Sequence, residues 1–350
     1  VKSIQIADRK VIVLEDIEKA VQAGATELVV REGAIFTPSA RDLAAQKGIA
    51  LRAGAAAAAG TSTPAGNADA QALYNSPEAD RIKDEIIAVG RKLWQRAYVD
   101  GNGGNISYRI GPNAVICTPT MLSKGDLTRE DFCMVDLEGN QIAGGRPRTS
   151  EILMHLEIYK AVPEAKSVLH CHPPHATAYA ITGRVPPTCV IPEYEVLIGR
   201  VAVSPYETPG TQKFAETVIP YVKQHNTVLL SNHGIVCWAD TVTHAEWYAE
   251  VTDTYCWTLM LAAQLGAPIS QIPENKAGDL LAIKKKLGLP DARFQMSACA
   301  LCDRSDGPDK IALKPCSGSG PAAEPAGTED HETLVRLVTE AVMAKLSGNK

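Results

Sequence analysis

Histidine spacing is the first sign of chemistry in this sequence. In Val168-Leu169-His170-Cys171-His172-Pro173-Pro174-His175, two imidazoles stand two residues apart within an apolar run. Alternate side chains of a strand share a face, so His170 and His172 can converge on one ion while Cys171 turns into the core. Imidazole is a common zinc ligand, and a catalytic zinc takes three protein ligands and keeps one position open. The pair alone reads equally well as two packed core histidines, so a third ligand matters. Ser231-Asn232-His233-Gly234 offers one, a histidine at a strand end where glycine is expected to permit a tight turn. Taken singly, His233 reads better as a capping or packing histidine. His175 competes for the third place, although Pro173-Pro174 ends the strand and should carry it away. A zinc-finger reading of Cys299-Ala300-Leu301-Cys302 with Cys316 lacks a fourth ligand at usual spacing, and exposed thiols are the plainer reading.

A carboxylate and two hydroxyl-rich turns accompany these histidines. Arg148-Thr149-Ser150-Glu151 opens a helical pattern with Ile152, Leu153, Leu156 and Tyr159 on its apolar side. Ser or Thr ahead of a helix caps it, and a carboxylate in its first turn is favoured, so Glu151 has an ordinary reading. Beside a metal, the same carboxylate can move a proton to or from carbon while the metal holds charge on a neighbouring oxygen. In Asp100-Gly101-Asn102-Gly103-Gly104-Asn105-Ile106-Ser107, the glycines let backbone N–H groups converge on an anion, as phosphate requires. A plain hairpin turn is the alternative; the loop has neither the Gly-Lys-Ser/Thr of a P-loop nor dinucleotide-fingerprint spacing. Thr118-Pro119-Thr120 is a further short turn bearing hydroxyls.

These residues need elements to hold them. A helix is predicted through Ile82, Ile86, Ile87 and Leu93, strands at 114–117, 167–171, 201–203 and 227–230, and helices at 151–161, 213–224 and 243–265. Helices interleaved with short strands predict an α/β layered body over 78–292. Before it, 1–52 reads as a small α/β module, with Thr37 capping a helix that starts at Pro38 and stops at Gly48. Residues 53–77 and 293–327 read as linkers, rich in Ala, Gly, Ser, Thr and Pro. Over 328–347 an amphipathic helix is expected, capped by Thr328 and striped by Leu334, Val338, Ala341, Val342 and Leu346. It either folds back on the body or docks on a partner. With 40 acidic against 35 basic residues in 350, no basic field is left to hold nucleic acid. Neither a membrane span nor a secretory signal is read, and nine scattered cysteines suit reduced core thiols in a cytoplasmic protein.

In this order and spacing, the Gly101–Ser107 loop, Thr118-Pro119-Thr120, Thr149-Ser150-Glu151, His170-Cys171-His172, Ser204-Pro205-Tyr206 with Gly210-Thr211, and Asn232-His233-Gly234 resemble the class II, zinc-dependent sugar-phosphate aldolases. This is the family of fuculose-1-phosphate and rhamnulose-1-phosphate aldolase. The resemblance spans roughly 78–270 and implies a three-layer α/β/α body with a largely antiparallel central sheet, assembled as a homotetramer. It implies His170, His172 and His233 as ligands of one Zn2+ per subunit and Glu151 as the acid/base. Gly104, Asn105, Thr149 and Ser150, with Asn102 and Thr120, are implied as the phosphate cradle. The implied reaction is cleavage of a 6-deoxyketose 1-phosphate to dihydroxyacetone phosphate and lactaldehyde, with zinc stabilising the enediolate.

Two departures bear on substrate choice. Met121 stands where a glycine usually follows the Thr-Pro-Thr turn, and the tyrosine that handles the aldehyde-side proton falls on Ile191. Tyr194 is the candidate for that role, with Tyr206 further along. Glu151 argues against the ribulose-phosphate 4-epimerases of the same superfamily, which usually carry Asp there, and the full histidine set argues against a non-catalytic, adducin-like assembly domain. No His-Glu-X-X-His helix supports a zinc hydrolase. The head resembles N-terminal segments of bacterial-microcompartment enzymes, and the tail resembles their encapsulation peptides. That implies a shell protein as partner through 328–347 and a location in the microcompartment lumen, fitting a reaction that releases a reactive aldehyde.

Overall fold

Strand residues sort by parity into two separate cores, and that sorting decides where the functional side chains point. A computed structural model of the chain describes residues 2–6, 11–12, 14–31, 34–36, 38–54, 67–296 and 301–303. The helix expected over 328–347, Cys299, Cys316 and most of the linker expected over 293–327 lie outside the described residues; the part that is described, 293–296 and 301–303, is packed on the body through buried Arg293 and Cys302 and is no linker. The chain divides into two units, Val1–Ala68 and Asp69–Lys350.

The first unit runs β1 (Ser3–Ile6), β2 (Val11–Ile12), α1 (Leu14–Gln22), β3 (Glu27–Arg31), β4 (Ile35–Phe36), α2 (Pro38–Gln46) and β5 (Ala50–Gly54). β1, β3 and β5 form a parallel sheet in that order, and β2 pairs parallel with β4. Ile12, Ile17, Leu28, Val30 and Ala44 make its core, so the expected small α/β module is present. α2 starts at the predicted proline, and Gly48 takes the left-handed conformation that ends it, at φ 66°.

The second unit runs α3 (Asn67–Tyr74), α4 (Pro77–Gln95), β6 (Asn105–Gly111), β7 (Ala114–Cys117), β8 (Cys133–Val135), β9 (Gln141–Gly144), α5 (Ile152–Ala161), β10 (Ser167–Cys171), α6 (Pro174–Thr182), α7 (Pro192–Leu197), β11 (Ala202–Ser204), α8 (Gln212–Glu216), α9 (Ile219–Val222), β12 (Thr227–Leu230), β13 (Gly234–Ala239), α10 (Val242–Gln264) and α11 (Glu274–Lys286). One sheet takes the order β11-β12-β13-β10-β6-β7-β8-β9, and only the β11–β12 pair is parallel. On one face Ile106, Ile116, Leu169 and Ile235 pack under α4, α6 and α10. On the other Val115, Val168, Val236 and Trp238 pack under α5, α8 and α9. This is the expected three-layer α/β/α body with a largely antiparallel sheet.

Some elements differ from expectation. The single helix expected over 213–224 is two, α8 and α9, because Pro220 has no N–H to continue the ladder. β13 is buried on both faces and so reads as a continuous apolar run without alternation. The cysteines are not all free thiols: Cys189 and Cys302 form a disulfide across 113 residues, a separation that spacing could not reveal. This rules out Cys302 both as a finger ligand and as an exposed thiol. Around that bond, the guanidinium of Arg293, fully buried, meets Asp291 at 2.9 Å and Glu195 at 2.7 Å, and Lys284 meets Asp291 at 3.1 Å. Among the described residues, no helix is long and apolar enough to cross a membrane.

Candidate active site

β10 lies inside the sheet, where His170 stands opposite Asn105 on β6 and Val236 on β13. Leu169 and Cys171 enter the core under α10, and Val168 enters the core under α5, so His170 turns toward α5. His172 continues one residue past the strand, its N–H held by the Tyr98 carbonyl at 2.8 Å. His233 arrives from the turn between β12 and β13. There Asn232, not the glycine, takes the left-handed conformation, at φ 57°. Gly234 is needed for a different reason than expected: a Cβ there would stand 2.5 Å from the Cys171 carbonyl oxygen and 2.7 Å from His172 Cδ2. Close approach of the two strands is what lets the three rings meet.

The ring nitrogens of His170 and His172 can be assigned from their neighbours. His170 Nδ1 donates to the Ile235 carbonyl at 2.8 Å, leaving a lone pair on Nε2. His172 Nδ1 lies 3.0 Å from Asp100 Oδ1, so it too carries the proton. The two Nε2 atoms then face each other at 3.1 Å with no proton between them. That contact is repulsive unless a cation sits between the lone pairs. Zinc–nitrogen bonds of about 2.0–2.1 Å at a tetrahedral angle would place two nitrogens roughly 3.3 Å apart. Ligand atoms from His170, His172 and His233 lie within 4.8 Å of one another, and His233 Nδ1 is buried without a hydrogen-bond partner. Burial, with the neighbouring imidazole charge adding to it, pushes His170 well below the usual histidine range and His233 down to about 4. Neutral imidazole is the form that binds a metal, so the donor set fits one.

Glu151 closes the cluster. It is the N-cap residue of α5, yet its side chain makes no cap bond. Its carboxylate instead lies 3.4 Å from His170 Nε2 and 3.6 Å from His233 Nε2. Burial raises its pKa, opposed by a 2.7 Å bond from Asn105 Nδ2 and by the charges of His172 and Lys124.

The loops implied as a phosphate cradle are laced together beside it. Thr149 N–H donates to Thr118 O at 3.2 Å, Thr120 N–H to Pro147 O at 3.1 Å, and Lys124 Nζ to Asn102 O at 2.9 Å. Gly104, at φ 68°, presses on β10, where a Cβ would stand 3.0 Å from His170 O. Ser150 and Asn102 are exposed, Thr120 is half-buried and Thr149 is buried. Met121 sits at φ 56°, the left-handed region in which the expected glycine would be unstrained, and its Sδ lies 3.5 Å from Asn102 Nδ2.

Residues 84–260, just over half of the chain, match the class II aldolase and adducin N-terminal domain family. The chain belongs to this family. It is 39% identical over 169 residues to an L-fuculose phosphate aldolase of Methanococcus maripaludis, covering 48% of this chain and 91% of that protein. It is 35% identical over 158 residues to a 3-oxo-tetronate 4-phosphate decarboxylase of Haemophilus influenzae, covering 44% and 75%. A solved L-fuculose 1-phosphate aldolase superposes with a TM-score of 0.53 at 26% identity, over 60% of this chain and 97% of that one.

Other candidates lie elsewhere in this class II aldolase. Tyr194 is buried in the core under α10, stacked on Tyr255 with ring centroids 3.8 Å apart, and its hydroxyl has no partner. The structure does not bring it to the histidines, and Tyr206 is 60% exposed. His175 is taken by Asp253, at 2.9 Å, and by stacking on Trp257, so it is not a third ligand. A cavity of about 860 Å3 lined by Trp238, Trp247 and Phe294 includes none of the three histidines, so cavity size does not mark the chemistry.

Several neighbours of the site carried no motif. Asp100 orients His172. Lys124 is buried and pushed down to about 8 by desolvation, with Glu151 opposing. His155, Ser107 and Tyr159 stand behind Glu151 and Asn105. Spacing held a trace of these three, because Glu151, His155 and Tyr159 recur every four residues on α5, and Asn105 and Ser107 lie two apart on β6.

Proposed function

We propose that the chain catalyses zinc-dependent retro-aldol cleavage of a 6-deoxyketose 1-phosphate, fuculose 1-phosphate or rhamnulose 1-phosphate, to dihydroxyacetone phosphate and lactaldehyde. The observation that carries this is the Glu151 carboxylate, desolvated and 3.4 and 3.6 Å from ring nitrogens of two of three converging histidines. His170, His172 and His233 would hold the ion. Zinc supplies Lewis-acid stabilisation of the negative charge left on the substrate's oxygens when a carbon–carbon bond breaks. In cleavage, the C4 hydroxyl would pass its proton to water, the C3–C4 pair stay with the three-carbon fragment, and Glu151, protonated beforehand from solvent, give its proton to C3. Gly104, Asn105, Thr149 and Ser150, with Asn102 and Thr120, would hold the phosphate end so that C3 lies within reach of that carboxyl.

A second reading is favoured by the relative named as a 3-oxo-tetronate 4-phosphate decarboxylase. Loss of carbon dioxide from a 3-oxo acid phosphate also leaves an electron pair beside a carbonyl, and the same carboxyl could protonate it. Product analysis separates the readings. Zinc-loaded protein is incubated with ketose 1-phosphates, a 3-oxo-tetronate 4-phosphate and ribulose 5-phosphate. Dihydroxyacetone phosphate and lactaldehyde in equal amounts are expected. Carbon dioxide alone would replace the aldolase reading with the decarboxylase, interconversion at C4 would replace it with the epimerase, and no turnover would leave an assembly domain.

The protein is further proposed to be a homotetramer housed in the lumen of a bacterial microcompartment, with residues 328–347 addressing it to the shell. α10 supports association, since Trp257, Met260 and Leu261 on it are exposed. The sugar-phosphate relative supports a small-molecule substrate.

A further inference from the structure

Behind Glu151, on the side away from the metal ligands, a row of polar side chains runs between β6 and α5. Asn105, Ser107, His155 and Tyr159 are each at most 3% exposed. Asn105 Nδ2 lies 2.7 Å from Glu151 Oε2, and Asn105 Oδ1 lies 2.6 Å from His155 Nε2. His155 Nδ1 lies 2.7 Å from Ser107 Oγ, which lies 2.8 Å from Tyr159 Oη. Every bond in this row has a determined direction once one is known. A carboxylate only accepts, so the amide nitrogen faces Glu151 and the amide oxygen must accept from His155. That places the single proton of a neutral imidazole on Nε2, so Nδ1 accepts from the Ser107 hydroxyl and Ser107 accepts from Tyr159. Burial keeps the ring neutral, pushing His155 down to about 3.

We propose that Asn105 is a positioning residue for Glu151, held amide-nitrogen-forward by the Nε2–H tautomer of His155, which Ser107 and Tyr159 fix from behind. Its oxygen and one of its two N–H donors are then used, which leaves the second N–H for the phosphate contact that the family resemblance implies. Oε2 of the carboxylate is tethered, while Oε1, 3.6 Å from His233 Nε2, takes no bond from this row. Were the amide reversed, its oxygen would face the carboxylate and repel it from the position that reaches C3. The effect on turnover rests on the function proposed above, whereas the tautomer does not.

Two measurements on the zinc-loaded full-length protein test this. Side-chain nitrogen NMR at neutral pH should find His155 as the Nε2–H tautomer; an Nδ1–H tautomer would overturn the proposal, because it requires the reversed row. Kinetics of His155→Leu and His155→Gln should separate positioning from mere packing. In His155→Leu, kcat is expected to fall about 10- to 100-fold, with KM within about twofold and the zinc retained. His155→Gln, whose amide N–H can still donate to Asn105, should recover most of that loss. Equal losses in the two variants, or a wild-type kcat in His155→Leu, would contradict it. If His155→Leu fails to fold, Ser107→Ala removes the donor to Nδ1 at little cost in volume and should lower kcat and mix the tautomers; an unchanged rate and tautomer would sink the idea. A wild-type protein that turns over no sugar phosphate would defeat the function proposed, and the NMR result would still decide the row.

Discussion

Glu151 acquires its chemistry from neighbours that lie far away in sequence. At a helix start a carboxylate usually serves the helix, but here it is turned to His170 and His233 and tethered by Asn105. Glu151→Gln can keep the Asn105 bond by presenting its amide oxygen, yet it has no proton to give. It should retain zinc and lose roughly 10²- to 10⁴-fold in turnover, measured as metal content and cleavage rate on the same sample. The buried rings make a second prediction, for the metal-free protein. His155 titrates near 6.5 when unfolded and near 3 when folded, so between those values the unfolded chain binds the extra proton. Its stability contribution is present above pH 6.5 and is lost toward pH 3, by about 1.4 kcal/mol per pH unit. His170, His225 and His233 are depressed in the same direction and add to the slope. Urea midpoints at pH 7 and 5 should show the drop, and His155→Gln should flatten it. The three histidines and Glu151 were legible because two-residue strand spacing and short motifs fix them. Lys124 and the roles of Asp100 and His155 were not, since only the fold brings Lys124 to the site, turns Asp100 to His172 and sets His155 behind Asn105.

At the scale of elements, the strands that hold the site were harder to read than the helices. α4, α5 and α10 announced themselves by apolar residues three and four apart. β13 hid in an apolar run, and β6 began inside a loop of glycines and asparagines. The role of Gly234 was legible only in part, because close approach to β10 depends on register that a sequence does not display. Beyond the family match, α11 and residues 291–296 return to α7 through charges without solvent access. Arg293→Ala would leave Glu195 buried without its cation and Asp291 with Lys284 alone. It should destabilise the unit by about 3–5 kcal/mol, read as a lower denaturant midpoint. A loss below about 1 kcal/mol, as for an exposed pair, would contradict that burial.

For the molecule as a whole, about half of the chain carries the family resemblance and the rest adds an α/β head and a tail. The head was legible from its proline-started, glycine-stopped helix, and the disulfide between Cys189 and Cys302 was not, because nothing local joins them. Deleting 328–350 should leave catalysis unchanged and abolish association with shell protein; a truncated enzyme that unfolds or loses activity would instead favour a tail folded back on the body. Metal binding and bond cleavage are coupled in the proposed reaction. Chelator-stripped protein is titrated with zinc while dihydroxyacetone phosphate release from fuculose 1-phosphate and rhamnulose 1-phosphate is followed. Release should be absent at the start and rise in proportion to zinc until about one ion per chain is bound. Cleavage that survives chelation, or none from either substrate at full zinc loading, would contradict the account.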